Sequence, residues 1–249
     1  MKQLSILLMN TADGFGGGEQ VFVGLCSGLQ AKGHEVACVV RAGGALRSVL
    51  EEAGLQVIPT QRGCGILLPR RLAKAIDSGG WQLINAHTPP DYMIAALSKE
   101  LSRSKPKLIF TRHILLPLGR SFLHRWTLRS ADALIAVSNA IKETLDAHPF
   151  IDPERVRTIW NGIDVEKFFP SGTRNLRDRL GIDDEGRLVG IFGEISPHKG
   201  QELFVRAANI LLREGENVHF VIAGPIKQRN EAYLKKLQRL AGESGRAQS

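Results

Sequence analysis

The sequence has few cysteines and no long apolar segment, and each absence narrows the class of protein. Its three cysteines, Cys26, Cys38 and Cys64, are an odd number, lie far apart in the chain and form no C-x-x-C pair. They predict neither a disulfide framework nor a zinc site, and they suit a reducing compartment. No apolar run reaches the 18 residues of a membrane helix, so we expect a cytoplasmic protein without a membrane span.

Aromatic residues are also scarce, at 6%, but 43% hydrophobic and 23% charged residues are ordinary globular proportions. They exclude collagen, long coiled coils and intrinsic disorder. The net charge of +8 does not by itself indicate a nucleic-acid binder, and we expect no nucleic-acid partner. The excess is local, because residues 62–129 carry twelve basic and three acidic side chains. This basic zone either attracts phosphates, anionic lipids or other polyanions, or is an ordinary solvated surface.

Short apolar runs alternate with stretches of 3.6-residue periodicity along the whole chain. A strand at residues 4–9 precedes a glycine cluster, a helix from Glu19 that ends at Gly33, and a second strand at residues 35–40. Later, Thr88-Pro89-Pro90-Asp91 predicts a helix start with the threonine hydroxyl as N-cap. The repeated rhythm predicts an α/β fold with a parallel sheet covered by helices on both faces.

The pattern divides the chain into three parts. Residues 1–165 form a complete α/β domain, residues 166–186 read as a polar linker, and residues 187–249 begin a second α/β domain. Two parallel strands with two helices cannot bury both faces of a sheet. We therefore expect either that the chain is a fragment or that its apolar faces need a partner.

Ligands bind open α/β sheets at the carboxyl ends of the strands, where a glycine cluster follows the first strand. The cluster comprises Gly14, Gly16, Gly17 and Gly18. Glycines allow close backbone approach, and a helix N-terminus attracts anions. A dinucleotide site needs an acid near the end of the second strand, but that strand ends in Arg41, which disfavours NAD. A structural turn and a site for a polar or phosphorylated substrate both remain open.

Two histidines, His87 and His113, follow successive predicted strands. One histidine is usually a packed or solvated residue, but two on the same rim favour a functional role. No third ligand lies at metal-binding spacing beside either, so we expect no metal site. The sequence has no G-x-S-x-G, Walker A or H-E-x-x-H motif, which excludes the corresponding hydrolases, P-loop enzymes and zinc proteases.

A third candidate is the loop from Gly193 to Gly200, which joins the first strand of the second domain to its helix. Lys199 lies just ahead of that helix, so an ammonium and free N–H groups face the same space. Such an arrangement suits a diphosphate. The alternative is an ordinary exposed loop lysine.

In order along the chain, these elements resemble the family-4 retaining glycosyltransferases of GT-B fold. The resemblance covers about 220 residues and rests on the glycine-rich loop, His113 after a strand, A-D-A-L-I-A-V-S at residues 131–138, W-N-G-I-D at residues 160–164 with Phe168 and Pro170, and G-x-x-x-P-x-K-G at residues 193–200. It implies two Rossmann-like domains facing across a cleft, with an acceptor on the first and a nucleotide-sugar donor on the second. It also implies that neither a metal nor another cofactor is required.

The resemblance assigns roles to residues of both domains. It implies that His113 is the catalytic residue and contacts the transferred sugar near the reacting carbon. Lys199 would bind the donor diphosphate and stabilise the charge that develops on it. The other donor-side or phosphate-binding residues are Gly16, Gly17, Asn161, Gly162 and Gly193. The acceptor-side residues are Gly18, Glu19 and His87.

Two departures from the family pattern qualify these expectations. Glu194 stands where the family commonly has an arginine, and it would repel a phosphate unless it is turned away. The chain also ends before the family's E-x7-E segment, which normally binds the donor. We therefore expect the first two-thirds of a glycosyltransferase, weakly active or inactive as it stands.

The basic zone suggests where the acceptor is found. A predicted amphipathic helix at residues 117–129 and the residues before it carry an apolar stripe, flanked by Arg112, Arg120, Arg125 and Arg129. Such a stripe can rest peripherally on the anionic inner face of a membrane, where the acceptor would be lipid-linked or a saccharide. We favour the alternative that the stripe faces the core. A nucleotide-sugar epimerase and a non-catalytic remnant that binds an anionic surface remain the alternative functions.

Overall fold

The computed structural model describes residues 2–61, 67–115, 118–166, 168–169, 175–182 and 185–242. Cys64, Pro170 and the predicted start of the helix at residue 117 lie outside the described residues. The chain divides into two compact units, Met1–Asp164 and Val165–Ser249. The parallel α/β architecture predicted from the sequence is confirmed.

The first unit is a parallel sheet in the order β3-β2-β1-β4-β5-β6-β7. Its strands are β1 (Ser5–Asn10), β2 (Glu35–Arg41), β3 (Gln56–Thr60), β4 (Leu83–Ala86), β5 (Lys107–Arg112), β6 (Ala133–Ala136) and β7 (Val156–Thr158). Its helices are α1 (Gly17–Ala31), α2 (Ala45–Glu52), α3 (Leu67–Gly79), α4 (Pro89–Leu101), α5 (Phe122–Ser130) and α6 (Asn139–Asp146).

The sheet is buried on both faces because successive strand residues point in opposite directions. In β1, Ile6 and Leu8 pack in one cluster with side chains of α1 and α2, whereas Leu7 and Met9 pack in another with side chains of α3 to α6. Gly33 ends the turn after α1 with a φ of +84°, the left-handed conformation that glycine adopts without strain. The predicted end of this helix is therefore correct.

The second unit contains two parallel strands, β8 (Arg187–Phe192) and β9 (Val218–Ala223), within its described residues. Its helices there are α7 (Asn175–Leu180), α8 (Gln201–Arg213) and α9 (Glu231–Gly242). Ile195, Val205, Leu237 and Leu240 form its small core. The short helix α7 lies in the stretch that we expected to be a polar linker. The sequence did not indicate it because its residues are mostly polar and charged, which obscures the helical period.

Cys26 and Cys38 lie far apart in sequence, but their sulfur atoms are 3.4 Å apart in the fold. Cys26 is on α1 and Cys38 on β2, and α1 packs directly over that strand. Both are free thiols with no exposed surface. The hydrogen bond with Cys38, together with burial, raises the pKa of the Cys26 thiol, so it remains protonated at neutral pH.

Three other local predictions need correction. The helix expected at residues 117–129 begins only at Phe122, where Ser121 accepts a hydrogen bond from the His124 N–H as N-cap. Arg112, expected beside the apolar stripe, is 3% exposed at the end of β5 and therefore does not belong to the surface. The first helix begins at Gly17, two residues before the predicted start, so Gly17 and Gly18 are helical.

Candidate functional site

The first candidate site lies where the strand order reverses. From β1 the chain proceeds outward through β2 and β3, and it resumes on the other side of β1 with β4. Connections that leave such a point on opposite faces open a crevice at the carboxyl ends of the strands, where open α/β sheets bind ligands. The glycine-rich loop follows β1, and His87 follows β4 and donates its backbone N–H to the Met9 carbonyl at 2.9 Å. Both segments therefore border this crevice.

Asp91, in the first turn of α4, holds the two segments together. It has no exposed surface and accepts hydrogen bonds from the Thr11 N–H at 3.0 Å and from the Thr11 hydroxyl at 2.5 Å. The Thr88 hydroxyl also donates to it, at 2.5 Å. Thr88 is the N-cap residue of α4, as predicted, but its hydroxyl makes no capping hydrogen bond to the helix backbone. Charge-assisted hydrogen bonds of this kind are strong, so the loop after β1 is anchored to α4.

His87 and His113 meet at the same edge of the sheet. His87 Nδ1 and His113 Nε2 are 3.0 Å apart, and the Phe22 ring packs against His87 at 4.9 Å between centroids. Burial and the neighbouring His113 lower the pKa of His87 to about 3. Burial also lowers the pKa of His113, although the charge of Glu19 opposes the shift. Both rings are neutral at pH 7, so one of them donates the shared hydrogen bond and the other accepts it.

The glycines at the start of α1 leave open space above the helix. A Cβ atom at Gly17 or Gly18 would meet nothing within 4 Å, and one at Gly16 would meet only a carboxylate oxygen of Glu19, at 3.5 Å. That carboxylate accepts the Gly16 N–H at 2.9 Å. Packing inside the unit therefore does not require glycine at these positions. Glycine would, however, let a phosphate or another ligand group approach the backbone closely.

Asn161 and Gly162 lie away from these groups. They are exposed and follow β7, which is the edge strand two places from β5. Neighbouring strands lie about 4.8 Å apart, so this separation corresponds to roughly 10 Å across the sheet. The first unit therefore brings together the loop after β1, His87 and His113, and leaves Asn161 and Gly162 at its edge.

The second candidate site is the loop after β8, which carries Gly193 and Lys199. A 3-10 turn, Pro197–Lys199, leads to Gly200 with a φ of +78°, and α8 begins at the next residue. The Lys199 side chain is exposed, and no carboxylate among the described residues pairs with it. An exposed ammonium beside the first turn of a helix is suited to phosphate oxygens.

Polar side chains that the sequence analysis did not single out fix the shape of this loop. Gln201 is 1% exposed and donates its side-chain amide to the Glu194 carbonyl at 2.9 Å. Asn230 donates to the Ile195 carbonyl at 2.9 Å. Neither residue lies in a recognisable motif. The one sequence feature that could have indicated a role is the position of Gln201, which directly follows a glycine at the start of a helix.

Glu194 does not face the site as an isolated negative charge. Its Oε2 atom lies 2.7 Å from Lys227 Nζ, from the loop after β9. The hydrogen bond from Lys227 lowers the pKa of Glu194, and the charges of Arg229 and His198 act in the same direction. The carboxylate therefore stays ionised and is compensated by a lysine, which removes much of the repulsion expected from the sequence.

Exposed apolar and basic side chains lie close together in sequence in the first unit. We define the apolar–basic patch as the following residues: Ile114, Leu115, Arg120, Phe122, Leu123, Arg125 and Arg129. Phe122 is 84% exposed and Leu115 is 60% exposed. The expectation that the stripe faces the core is wrong for Phe122 and Leu123. It holds for Leu118 and Trp126, which are partly buried and pack against the core. The start of α5 is thus exposed, and its later residues pack.

The described residues contain no group of three or more His, Cys, Asp or Glu side chains that could hold a metal ion. Within the same residues, no helix combines the length and hydropathy needed to cross a bilayer.

The described residues thus define two Rossmann-like α/β units, each with polar loops at the carboxyl edge of its parallel sheet. Residues 15–167 match the family model described as Glycosyltransferase Family 4, and residues 172–247 match the model described as Glycosyl transferases group 1. The chain belongs to glycosyltransferase family 4. The family predicted from the sequence is confirmed.

Curated relatives agree with this assignment. The chain is 23% identical over 83% of its length to a D-inositol 3-phosphate glycosyltransferase of Rhodococcus jostii (strain RHA1), of which it covers 49%. It is 27% identical over 78% of its length to the lipopolysaccharide core biosynthesis mannosyltransferase LpsB of Rhizobium meliloti (strain 1021), of which it covers 58%. The chain thus spans about half the length of these relatives.

Solved structures confirm the GT-B type of fold. Alr3699/HepE of Anabaena, in complex with UDP and glucose, matches with a TM-score of 0.77 and 23% identity, over 98% of this chain and 67% of that chain. A glycosyltransferase from Rickettsia africae ESF-5 matches with a TM-score of 0.80 and 18% identity, over 98% of this chain and 66% of that chain.

Proposed function

We propose that this protein transfers a sugar from a nucleoside diphosphate to a hydroxyl acceptor, with retention at the anomeric carbon. The observation that carries the proposal is the loop after β8, which presents the exposed Lys199 beside the start of α8. The UDP and glucose bound by the Anabaena protein of the same fold support a nucleotide-sugar donor. Lys199 and Gly193 bind the diphosphate, together with the first backbone N–H groups of α8.

Charge neutralisation is the main task of this site during the reaction. The leaving diphosphate gains negative charge as the glycosidic bond breaks, and a preorganised ammonium stabilises that charge most in the transition state. We assign this role to Lys199, and we propose that the cationic side chains make a metal ion or another cofactor unnecessary. The acceptor hydroxyl attacks the face that the leaving group occupied and gives its proton to the leaving phosphate.

The first unit holds the transferred sugar and the acceptor. His113 contacts the sugar near the reacting carbon, and its neutral ring supplies a hydrogen-bonding partner without adding a charge. Gly16 and Gly17 lie against donor phosphate or acceptor, where the open space above α1 leaves room. Gly18, Glu19 and His87 border the acceptor, and Asn161 and Gly162 contribute from the edge strand. These assignments are part of the same proposal.

Product analysis tests the reaction class directly. The chain is incubated with UDP-, GDP- and ADP-sugars and hydroxyl acceptors, with and without EDTA. Release of a nucleoside diphosphate, with the anomeric configuration of the product retained by NMR, is the expected result, unchanged by the chelator. An interconverted sugar nucleotide without release would identify an epimerase instead. Neither product, from a folded chain, would favour a non-catalytic remnant.

We further propose that the acceptor is lipid-linked or a saccharide of the cell envelope, met at the cytoplasmic face of a membrane. The apolar–basic patch supports this proposal, because exposed apolar groups beside arginines suit an anionic lipid surface. The name of the Rhizobium relative, a lipopolysaccharide core mannosyltransferase, supports an envelope acceptor. The buried thiols of Cys26 and Cys38 fit a reducing compartment.

Vesicle co-sedimentation tests the membrane part of the proposal. The chain is mixed with vesicles of phosphatidylcholine alone or with phosphatidylglycerol added, and binding to the anionic vesicles is expected. The Phe122→Ser, Leu123→Ser double variant should lose most of that binding. Leu203→Ser is the matched control, since Leu203 is 74% exposed on α8, outside the patch. Equal binding to neutral and anionic vesicles would refute the proposal.

A further inference from the structure

The loops after β8 and β9 leave the same edge of their sheet and remain paired beyond it. The Gly193 N–H donates to the Ala223 carbonyl at 2.9 Å, and the Ile195 N–H donates to the Pro225 carbonyl at 2.9 Å. A parallel bridge between Ile195 and Ile226 follows. The backbone itself therefore places the residue after Ile226, which is Lys227, beside the loop that carries Lys199.

The charges at this edge are mostly positive. Lys227 and Arg229 of the loop after β9 and His198 of the loop after β8 all act on the charge of Glu194. Lys199 is the next residue after His198. The Glu194 side chain is 20% exposed and that of Lys227 is 38% exposed, so the ion pair lies at the surface of the edge. Lys199, Lys227 and Arg229 against Glu194 give these four side chains a net charge of +2.

We propose that Lys227 is a second diphosphate-binding cation at this edge and that Glu194 is the residue that positions it. The proposal rests on the proposed function for the class of ligand. An ammonium has three N–H donors, and the Glu194 carboxylate accepts from Lys227 at 2.7 Å, which leaves donors for phosphate oxygens. A lysine has a flexible four-carbon side chain, which loses conformational entropy when it binds a ligand. A carboxylate that already holds the side chain in place reduces this entropy loss.

This inference changes the meaning of Glu194. From the sequence alone it is a negative charge in a phosphate site and predicts weaker donor binding. In the structure it pairs with a cation from the loop after β9, so it is not an isolated negative charge in the loop that carries Lys199. The Asn230 amide, 2.9 Å from the Ile195 carbonyl and 3.4 Å from Glu194 Oε1, ties the same two loops and keeps the pair in place.

A double-mutant cycle on the full chain tests the proposal by calorimetry with UDP, UMP and inorganic pyrophosphate. Lys227→Met should weaken UDP and pyrophosphate binding about tenfold, the loss of one charge-assisted contact, and weaken UMP binding much less. Glu194→Gln should weaken UDP binding in the wild-type chain, because it releases Lys227. In the Lys227→Met background it should strengthen binding, because it removes an uncompensated negative charge.

The matched control is Lys235→Met, which removes one exposed charge from α9 in the same unit and should leave all affinities unchanged. Circular dichroism confirms that each variant is folded. Equal fold-changes from Glu194→Gln in both backgrounds, or an affinity unaffected by Lys227→Met, would overturn the inference while leaving the proposed function intact. A Lys227-dependent pyrophosphate site that takes no nucleotide would support the inference and refute the proposed function. A chain that binds neither compound would overturn both.

Discussion

The carboxylate of Asp91 offers the sharpest test of how the first candidate site is built. It has no exposed surface and accepts hydrogen bonds from the N–H and the hydroxyl of Thr11 and from the hydroxyl of Thr88. Replacing it with alanine leaves a part-buried N–H and two part-buried hydroxyls without this acceptor. Hydrogen bonds to a charged group contribute about 1.5–3 kcal/mol each, but the hydroxyls can rotate toward other acceptors. We therefore expect Asp91→Ala to lower the free energy of unfolding of the first unit by about 3–5 kcal/mol.

The assay uses urea unfolding followed by tryptophan fluorescence. The three tryptophans, Trp81, Trp126 and Trp160, all lie in the first unit, so the signal reports that unit alone. Thr88→Val removes one of the three hydrogen bonds and should cost about 1–2 kcal/mol. Glu51→Ala, which removes an exposed i,i+4 ion pair with Arg47, is the control and should cost less than about 0.5 kcal/mol.

A second readout locates the effect of the Asp91 substitution. Hydrogen exchange of the Thr11 amide should accelerate in Asp91→Ala, because its acceptor is gone, while exchange in β2 should change much less. A free energy of unfolding within about 1 kcal/mol of the wild-type value would show that Asp91 does not anchor the loop, and the reasoning would be refuted.

Three further predictions concern single residues. His87 has a folded pKa of about 3, below the unfolded value of 6.5, so the unfolded chain binds more protons in acid and the free energy of unfolding decreases as the pH falls. Between pH 7 and pH 5, protonation of His87 in the unfolded chain lowers the free energy of unfolding by about 2 kcal/mol. In His87→Phe, urea unfolding should show that much less change over this pH range, and an unchanged pH dependence would contradict the shifted pKa. Leu8→Ala, at a site with no exposed surface in β1, should cost about 2–5 kcal/mol in the same urea assay, and a cost below 1 kcal/mol would contradict its place in the core. Gly200→Ala forces a left-handed φ of +78° on alanine, so it should cost about 1–2 kcal/mol by thermal melting and weaken UDP binding; unaltered melting would refute the strain.

Much of the fold follows from local pattern. The strands of the first unit are short apolar runs between glycine or polar punctuation, and α1 ends where Gly33 permits a left-handed turn. Helix α8 begins directly after Gly200, as predicted, since its periodic stripe starts after that glycine. These features depend on neighbours within a few residues, which the sequence displays directly.

The contacts that build the candidate sites depend instead on strand order. His87 and His113 meet because β4 and β5 are adjacent, and Cys26 reaches Cys38 because α1 crosses back over β2. The Glu194–Lys227 pair requires β8 and β9 to be neighbours, over a separation of 33 residues. A periodicity indicates that strands exist and are parallel, but not which loops face one another. The exposure of Phe122 was also not predicted, because it depends on α5 beginning at that residue and not at residue 117.

The central claim is that the loop after β8 binds the diphosphate of a sugar nucleotide. The most direct measurement is an NMR titration of the isotope-labelled chain with UDP-, GDP- and ADP-sugars, repeated on Lys199→Met. We predict that at least one of them shifts the amide resonances of Gly193 and Gly200 saturably, and that Lys199→Met weakens its binding about tenfold. Saturable binding that shifts only other amides, with an affinity indifferent to Lys199, would contradict the account.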